Sequence, residues 1–227
     1  MRSSGKLSLV ATPIGNLEDI TLRALRNFKE CDYILCEDTR VTGKLLHHHG
    51  IKKQMKRYDA HASEKTHEEI LFDLGKGMHV VLVSDAGTPG VSDPGVLLIQ
   101  RARAEYVDIE VIPGPSAVIA AVSLAGIPGN NFSFLGFVPL KKGRETFFKS
   151  LVDVTSTPVF FESTHRIIKT LESLHKFLPD ATIYVGRELT KMHEEMLVGK
   201  AEELLGLLEL EPVKQKGEFV ILVELNK

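Results

Sequence analysis

The sequence contains no tryptophan, only two cysteines and no excess of positive charge, since its net charge is −2. Cys31 and Cys36 lie in and beside an apolar segment and have no metal-ligand spacing with histidine, which is typical of reduced core thiols. Proteins that bind nucleic acid through a strongly basic surface have an excess of lysine and arginine over acidic residues, which this sequence lacks. Any contact with nucleic acid must therefore come from local patches of lysine and arginine.

Long apolar runs are also missing. The longest apolar stretch is far too short to cross a bilayer, and no signal peptide is evident before the first predicted strand. The 227 residues, 43% of them hydrophobic, are enough for one large domain or two modest ones, each with its own core. We therefore expect a cytoplasmic protein that does not use a membrane.

A short apolar strand followed by a glycine-rich turn is the most informative stretch of the chain. Residues 80–83 are apolar at every position, which is typical of a strand buried on both faces of a parallel sheet. Small residues and one carboxylate follow: Ser84, Asp85, Ala86, Gly87 and Thr88. Ser92, Asp93 and Pro94 then predict a helix start. In open α/β folds ligands bind where strands end and helices begin, so we interpret this turn as a ligand loop. The alternative is a tight connection whose glycines and prolines only shape the turn.

The rest of the chain alternates in the same way between predicted strands and helices. The predicted strands are residues 7–11, 33–36, 56–58, 80–83, 107–112, 132–137, 158–161, 182–185 and 219–225. This alternation predicts two α/β domains with mainly parallel sheets. Composition shifts near residues 126–129, and a predicted helix from Ser116 bridges the two halves. We assign residues 1–115 to an N-terminal domain and residues 116–227 to a C-terminal domain.

Six segments, in their order and spacing, resemble the tetrapyrrole methylase superfamily. They are residues 10–21 (VATPIGNLEDIT), 36–40 (CEDTR), 84–95 (SDAGTPGVSDPG), 112–117 (IPGPSA), 161–166 (FESTHR) and 186–191 (GRELTK). The tetrapyrrole-modifying branch tends to have GPG-like and GDP-like loops at the first and third of these segments. This chain has Thr12-Pro13-Ile14 and Asp85-Ala86-Gly87 there, so it is more similar to the branch that methylates small-subunit ribosomal RNA.

The resemblance implies that two α/β domains bind S-adenosylmethionine in a cleft between them, usually in a homodimer. It also implies methyl transfer to a cytidine ribose 2′-hydroxyl of 16S ribosomal RNA in the small ribosomal subunit. By position in the family's motifs, the expected cofactor contacts are Ile14, Asp85, Ala86, Gly87, Thr88, Ser116 and Ala117. Ser116 is also a candidate helix cap, and the two roles are compatible. Longer relatives continue past the final strand, so we expect this chain to dock RNA with its core and its dimer surface.

Methyl transfer to a hydroxyl requires loss of a proton, which a positioned base or a nearby cation assists. We predict catalytic roles for Glu37, Arg40, Glu162 and Lys191. We predict substrate-binding roles for Pro13, Gly15, His61, His165, Arg166 and Arg187. His61 is the only match to a histidine-rich family stretch. Two structural alternatives remain open: residues 37–40 as a helix cap with an ion pair, and mutual pairing of Arg187, Glu188 and Lys191.

Several other features have simple structural interpretations. Consecutive side chains of His47, His48 and His49 point in different directions on a helix, so we expect no metal site. We expect the phenylalanines of the second half to be core residues rather than base-stacking platforms: Phe134, Phe137, Phe147, Phe148, Phe160 and Phe161. Two basic clusters, residues 52–57 and 141–144, are expected to be solvated, with contact to a phosphate backbone as the alternative. For the whole chain, the alternatives are a tetrapyrrole methyltransferase and a non-catalytic RNA- or nucleotide-binding protein.

Overall fold

The computed structural model describes residues 5–92 and 95–225 and divides the chain into two compact units, Met1–Ser116 and Ala117–Lys227. The predicted helix start at Asp93 and Pro94 lies outside the described residues. Each unit contains a five-stranded sheet with helices packed against it. The α/β fold class is confirmed. None of the helices in the described ranges is long and apolar enough to cross a membrane.

The first unit is built around a fully parallel sheet. Its elements are β1 (Lys6–Val10), α1 (Leu22–Glu30), β2 (Tyr33–Cys36), α2 (Thr39–His48), β3 (Met55–Arg57), α3 (Glu64–Gly75), β4 (His79–Leu82), α4 (Gly95–Ala104) and β5 (Asp108–Ile112). The strand order is β3-β2-β4-β1-β5, and all neighbouring pairs are parallel. The carboxyl ends of all five strands therefore lie along one edge, which we call the carboxyl edge of the first sheet.

Helices cover both faces of this sheet, which explains why its central strands are apolar at successive positions. One face packs Leu7 and Val80 against α3 and α4, and the other packs Val10 and Val81 against α1 and α2. Both cysteines are free and buried in this unit, as predicted. Burial raises the pKa of Cys31 to about 11, so its thiol stays protonated at neutral pH.

The second unit departs from the prediction of mainly parallel sheets. Its elements are α5 (Ala117–Ala125), β6 (Phe132–Phe137), α6 (Arg144–Ser150), β7 (Thr157–Ser163), α7 (Ile167–Phe177), β8 (Thr182–Arg187), β9 (Glu195–Gly199), α8 (Ala201–Leu210) and β10 (Glu218–Glu224). The order is β6-β7-β10-β8-β9, and only β6 and β7 are parallel. The prediction missed β9, which follows β8 without an intervening helix. It included the final strand, β10, but not its antiparallel place between β7 and β8.

Most of the second unit's core lies between this sheet and helices α6, α7 and α8. Phe148 and Phe160 are fully buried there, as predicted. For Phe137 the prediction of a core position is wrong, because 56% of this residue is exposed. Phe134 and Phe161 are only partly buried. These three rings lie together on the sheet.

Candidate active site

Backbone hydrogen bonds join the loops after β1 and β4. The amide of Thr12 donates to the carbonyl of Gly87 (2.9 Å), and the amide of Gly87 donates back to the carbonyl of Thr12 (3.1 Å). The Thr12 hydroxyl also donates to the carbonyl of Ser84 (3.0 Å). The first and central loops therefore form one paired structure. No role is predicted for Thr12 from the sequence, although its position directly after a predicted strand marks it as a candidate for the site.

Gly87 brings a third loop to the same place. Its φ of +81° is readily available only to glycine. A Cβ atom on Gly87 would lie 3.7 Å from Cγ2 of Ile14 and 3.9 Å from the carbonyl oxygen of Pro115. Residues of the loops after β1, β4 and β5 therefore meet around this glycine. Of the predicted cofactor contacts, Ile14 and Gly87 are neighbours, and Ser116 follows Pro115 directly in the chain.

The loop after β2 is hydrogen-bonded to the central loop through Asp85. A carboxylate oxygen of Asp85 accepts from the amide of Asp38 (3.1 Å), and the amide of Asp85 donates to the Glu37 carboxylate (3.4 Å). Asp85 and Ala86 are exposed, and Thr88 is half-buried. Glu37 therefore lies beside the loop that carries the predicted cofactor contacts.

Asp38 and Arg40 form a helix cap and an ion pair, which is the structural alternative for residues 37–40. The Asp38 carboxylate accepts from the backbone amide of Arg40 (2.8 Å) at the start of α2. It also accepts from the Arg40 guanidinium, with the shortest contact at 2.6 Å. These hydrogen bonds from Arg40 lower the pKa of Asp38 to about 2. The Arg40 side chain is still 86% exposed, so a ligand can reach it.

Replacing Arg40 with alanine should raise the pKa of Asp38 towards its ordinary value of 3.8. Folding lowers the pKa of Asp38, so its ionised carboxylate stabilises the folded protein at pH values above the pKa in the unfolded chain. That stabilisation is lost as the pH falls from about 4 towards 2. Carbon-detected NMR titration of the carboxyl group measures the change. Asp59, which bonds the amide of His61 instead, is the internal control. An unchanged Asp38 titration would mean that the helix amides alone lower this pKa.

His61 lies in the loop after β3, at the carboxyl edge of the first sheet. Asp59 shapes this loop, because its carboxylate accepts from the amide of His61 (2.8 Å) and pairs with Arg57 (2.8 Å). The His61 side chain is exposed. In the nearby basic cluster, Lys56 pairs with Asp73 and Lys53 donates to two backbone carbonyls. Most of the charged groups of this cluster are therefore already bonded within the first unit.

The predicted site residues of the second unit lie along one edge of its sheet. Ser163 at the end of β7 pairs with Glu218 at the start of β10, and Phe219 pairs with Arg187 at the end of β8. Of the described residues, the following belong to this edge: Glu162, Thr164, His165, Arg166, Arg187, Glu188, Lys191 and Glu218. Strands β7 and β8 run in the same direction with antiparallel β10 between them. Their carboxyl ends therefore bring the two predicted segments to one edge, beside the start of β10.

Glu162 is fully buried and holds two arginines. Its carboxylate accepts from Arg166 (2.7 Å), the Thr170 hydroxyl (2.6 Å), the Ser163 amide (2.7 Å) and, at longer range, Arg144 (3.4 Å). Arg166 also donates to the carbonyl of Val138 (2.7 Å). This geometry makes Glu162 a positioning residue for Arg144 and Arg166. Its predicted role in proton transfer stays a prediction that complete burial does not favour.

Arg187 is also buried and engaged by its own unit. It donates to the carbonyls of Lys216 (2.7 Å) and Val213 (3.3 Å) and pairs with Glu195 on β9 (2.9 Å). Lys191 pairs with Glu188 (2.9 Å) and Glu218 (3.0 Å). The alternative of mutual pairing therefore holds for Glu188 and Lys191, whereas Arg187 binds elsewhere.

A parallel sheet with paired glycine loops at its carboxyl edge, in a chain that also has a second α/β unit, is the architecture of a group of methyltransferases. The chain belongs to the tetrapyrrole methylase family, since the profile described as "Tetrapyrrole (Corrin/Porphyrin) Methylases" matches residues 6–205. It is an enzyme that uses S-adenosylmethionine as its methyl donor.

Two curated relatives and one solved structure show how far the similarity extends. The chain is 42% identical over 219 residues to ribosomal RNA small subunit methyltransferase I of Thermotoga maritima, covering 96% of this chain and 98% of the relative. The Escherichia coli O157:H7 protein with the same name is 40% identical, with 99% and 79% covered. The crystal structure of uroporphyrin-III-C-methyltransferase from Thermus thermophilus has a TM-score of 0.65 at 22% identity, covering 96% and 94%, which shows the fold alone.

The residues around Gly87 fit such a donor. Gly87 and Gly114 let the loops after β1, β4 and β5 pack closely, since a Cβ atom on Gly114 would already lie 3.0 Å from Cβ of Ala11. Asp85 provides one exposed carboxylate for hydroxyl or amine groups. When bound, S-adenosylmethionine supplies a methyl group on a positively charged sulfur. In the described part of the chain, no three or more metal-binding side chains are grouped to hold an ion.

Proposed function

We propose that this enzyme methylates ribosomal RNA of the small subunit. The observation that carries the proposal is the identity of 42% to the Thermotoga maritima enzyme over nearly the full length of both chains. Substrate differences within a family are usually made in loops, and here the matching region includes every loop at the carboxyl edge of the first sheet. We further propose that the acceptor is a cytidine ribose 2′-hydroxyl, which the family resemblance implies.

The loops of the first unit divide the work of binding and alignment. We propose that donor binding uses Asp85, the paired backbone around Gly87, and four further residues of this unit: Ile14, Ala86, Thr88 and Ser116. Ala117, the next residue in the chain, completes the proposed set. Pro13 is buried and Gly15 exposed in the first loop, where they are suited to shape the approach of a nucleotide. Displacement at a methyl carbon needs donor and acceptor in line and water excluded. A rigid pair of loops meets that requirement better than two independent ones.

The ribose hydroxyl must lose a proton to an acceptor that lies within hydrogen-bond reach. We propose Glu37 as that acceptor, since it lies next to Asp85. Arg40 and the exposed His61 would then contact the RNA backbone or the acceptor nucleotide. In the second unit, Arg166, Lys191 and the exposed His165 are suited to bind phosphate. Arg187 would act indirectly, by holding the turn between β8 and β9.

We also propose that the enzyme is a homodimer and works in the cytoplasm. The first point follows from the family resemblance, and the second from the proposed substrate, which bacterial cells keep in the cytoplasm. Sedimentation equilibrium of the purified chain tests the oligomeric state directly. A monomer at micromolar concentration would contradict the first point.

Radiolabelled methyl transfer to small subunits that lack the modification tests the proposed function. We expect label in a single ribose-methylated cytidine when the RNA is digested and its nucleosides are separated. Transfer only to a tetrapyrrole acceptor would support the small-molecule alternative. Binding of donor and subunit with no transfer would support the non-catalytic alternative.

Arg40→Ala should reduce transfer to the subunit several-fold while leaving the Kd for S-adenosylmethionine unchanged. The reason is that Arg40 is exposed and lies in the first turn of α2, next to the donor loop. In the described part of the chain its guanidinium hydrogen-bonds Asp38 alone. Calorimetry and steady-state kinetics measure the two effects separately. Arg103→Ala, an exposed arginine on α4, is the matched control. Equal loss of donor binding and transfer, or loss of neither, would contradict this role.

A further inference from the structure

Three phenylalanine rings form a partly exposed cluster on the sheet of the second unit. The ring centroids of Phe134 and Phe161 are 4.9 Å apart, and those of Phe137 and Phe161 are 5.2 Å apart, both in edge arrangements. Phe137 is 56% exposed. We call Phe134, Phe137 and Phe161, with Lys141 and Lys142, the aromatic surface.

A bulge in β6 creates this cluster. Phe134 pairs with Val159 and Phe137 with Phe161, so three steps along β6 match two steps along β7. In a regular strand, side chains three positions apart point to opposite faces. Gly136 has a φ of +68° at this bulge. As a result, Phe134 and Phe137 lie on the same face of the sheet as Phe161 and both contact its ring. The extra residue in β6 thus leaves the ring of Phe137 exposed on this face of the edge strand.

The face that carries Phe161 differs from the face that forms the main core. Phe160, its neighbour in β7, packs in the core with α6 and α7, and Glu162 on its other side binds Thr170 of α7. Side chains alternate along a strand, so Phe161 points away from these helices. Exposed rings in contact with one another are costly to leave in water, and they mark binding surfaces more often than isolated apolar residues do.

The loop that follows β6 is positively charged. Lys141 and Lys142 follow β6 closely and are exposed, and within the described ranges neither forms an ion pair. An exposed ring followed closely in the chain by two exposed lysines has the two features that bind single-stranded nucleic acid: a stacking face and charges for phosphate.

We propose that the aromatic surface stacks an unpaired base of the substrate RNA on Phe137, with Lys141 and Lys142 on the adjoining phosphates. This inference rests on the proposed function and adds a second contact region to it. The base must be unpaired, because a helical RNA does not offer the face of a base to a side chain. A second copy of the chain fits less well, since a twofold contact would bring the same lysines of both copies to one interface.

A tryptophan at position 137 tests the proposal, because the chain has no tryptophan of its own. Stacking of a base on Phe137→Trp should quench its fluorescence when unmodified small subunits, or the single-stranded RNA segment around the modified nucleotide, are added. Phe72→Trp is the matched control: Phe72 is 62% exposed on α3 and also has a lysine, Lys76, beside its ring at 4.1 Å. It should show no saturable quenching.

Two further variants separate stacking from folding. Phe137→Ala should raise the Kd for RNA about tenfold or more, whereas Phe137→Tyr should bind as the wild type does, because it keeps a stacking face. The Kd for S-adenosylmethionine should be unchanged in both. This combination supports the proposal.

Three other outcomes overturn it, and they differ from one another. If Phe137→Ala binds and methylates the subunit normally, the aromatic surface has no such role and the proposed function stands. If tryptophan emission at position 137 changes with protein concentration without RNA, the occupant is a second copy. If the wild type neither binds nor methylates the subunit, the proposed function fails, and the stacking proposal fails with it.

Discussion

Glu162→Ala is expected to lower the free energy of unfolding by about 3–5 kcal/mol, the usual cost of removing one member of a buried ion pair. The side chain of Glu162 is 0% exposed, and those of Arg144 and Arg166 are each only 17% exposed. Without the carboxylate, two guanidinium groups and the Thr170 hydroxyl lose their acceptor. Water cannot replace it without opening the packing between β7 and α7.

Urea unfolding followed by circular dichroism measures this loss, and hydrogen exchange in α7 shows whether it arises where the network lies. Glu145→Ala is the matched control, because Glu145 pairs with Lys149 on the surface of α6 with both side chains well exposed. It should change stability by less than about 1 kcal/mol. Equal stability of the wild type and the Glu162 variant would mean that the arginines find solvent or other acceptors, and the network would then have no structural role.

Asp85→Ala is expected to raise the Kd for S-adenosylmethionine about 10- to 100-fold, as for the loss of a hydrogen bond to a charged group. Two effects act together. The variant removes the exposed carboxylate that we propose for the donor, and it removes the acceptor for the Asp38 amide, which joins the loops after β2 and β4. The Gly87–Thr12 pairing is made by backbone atoms and should persist.

Isothermal titration calorimetry measures the donor affinity directly. Asp108→Ala is the control, because Asp108 is exposed at the opposite, amino end of the same sheet. Asp85→Asn separates the two effects, since an amide oxygen still accepts from Asp38 but has no negative charge. A donor affinity unchanged in Asp85→Ala would remove Asp85 from the proposed donor site.

The first unit follows its sequence closely, because each of its signals is local. Residues 33–36 and 80–83 are apolar at successive positions, and only a strand covered on both faces needs this. These two strands are parallel, so the predicted loops that follow them meet at one edge of the sheet. Local capping is also visible here: helices Thr39–His48 and Glu64–Gly75 begin directly after Asp38 and Ser63, whose side chains accept hydrogen bonds from the first-turn amides.

The second unit contains three features that neighbouring residues in the sequence do not predict. Strand β9 is short and only partly buried, so it lacks the apolar run by which a strand is recognised. The direction of β10 depends on which strands it lies between, and no residue in it encodes that choice. The exposure of Phe137 depends on one extra residue in β6, whose effect appears only when the register with β7 is known.

The sequence by itself determined the α/β class, the small-residue loop after the apolar strand of residues 80–83 and the family to which the chain belongs, because these depend on neighbouring residues and on spacing along the chain. Only the tertiary structure decided the antiparallel second sheet, the burial of Glu162 and Arg187 and the exposure of Phe137. The physical reason is that strand pairing and side-chain desolvation are set by residues far apart in sequence, whose contacts arise only when the chain folds.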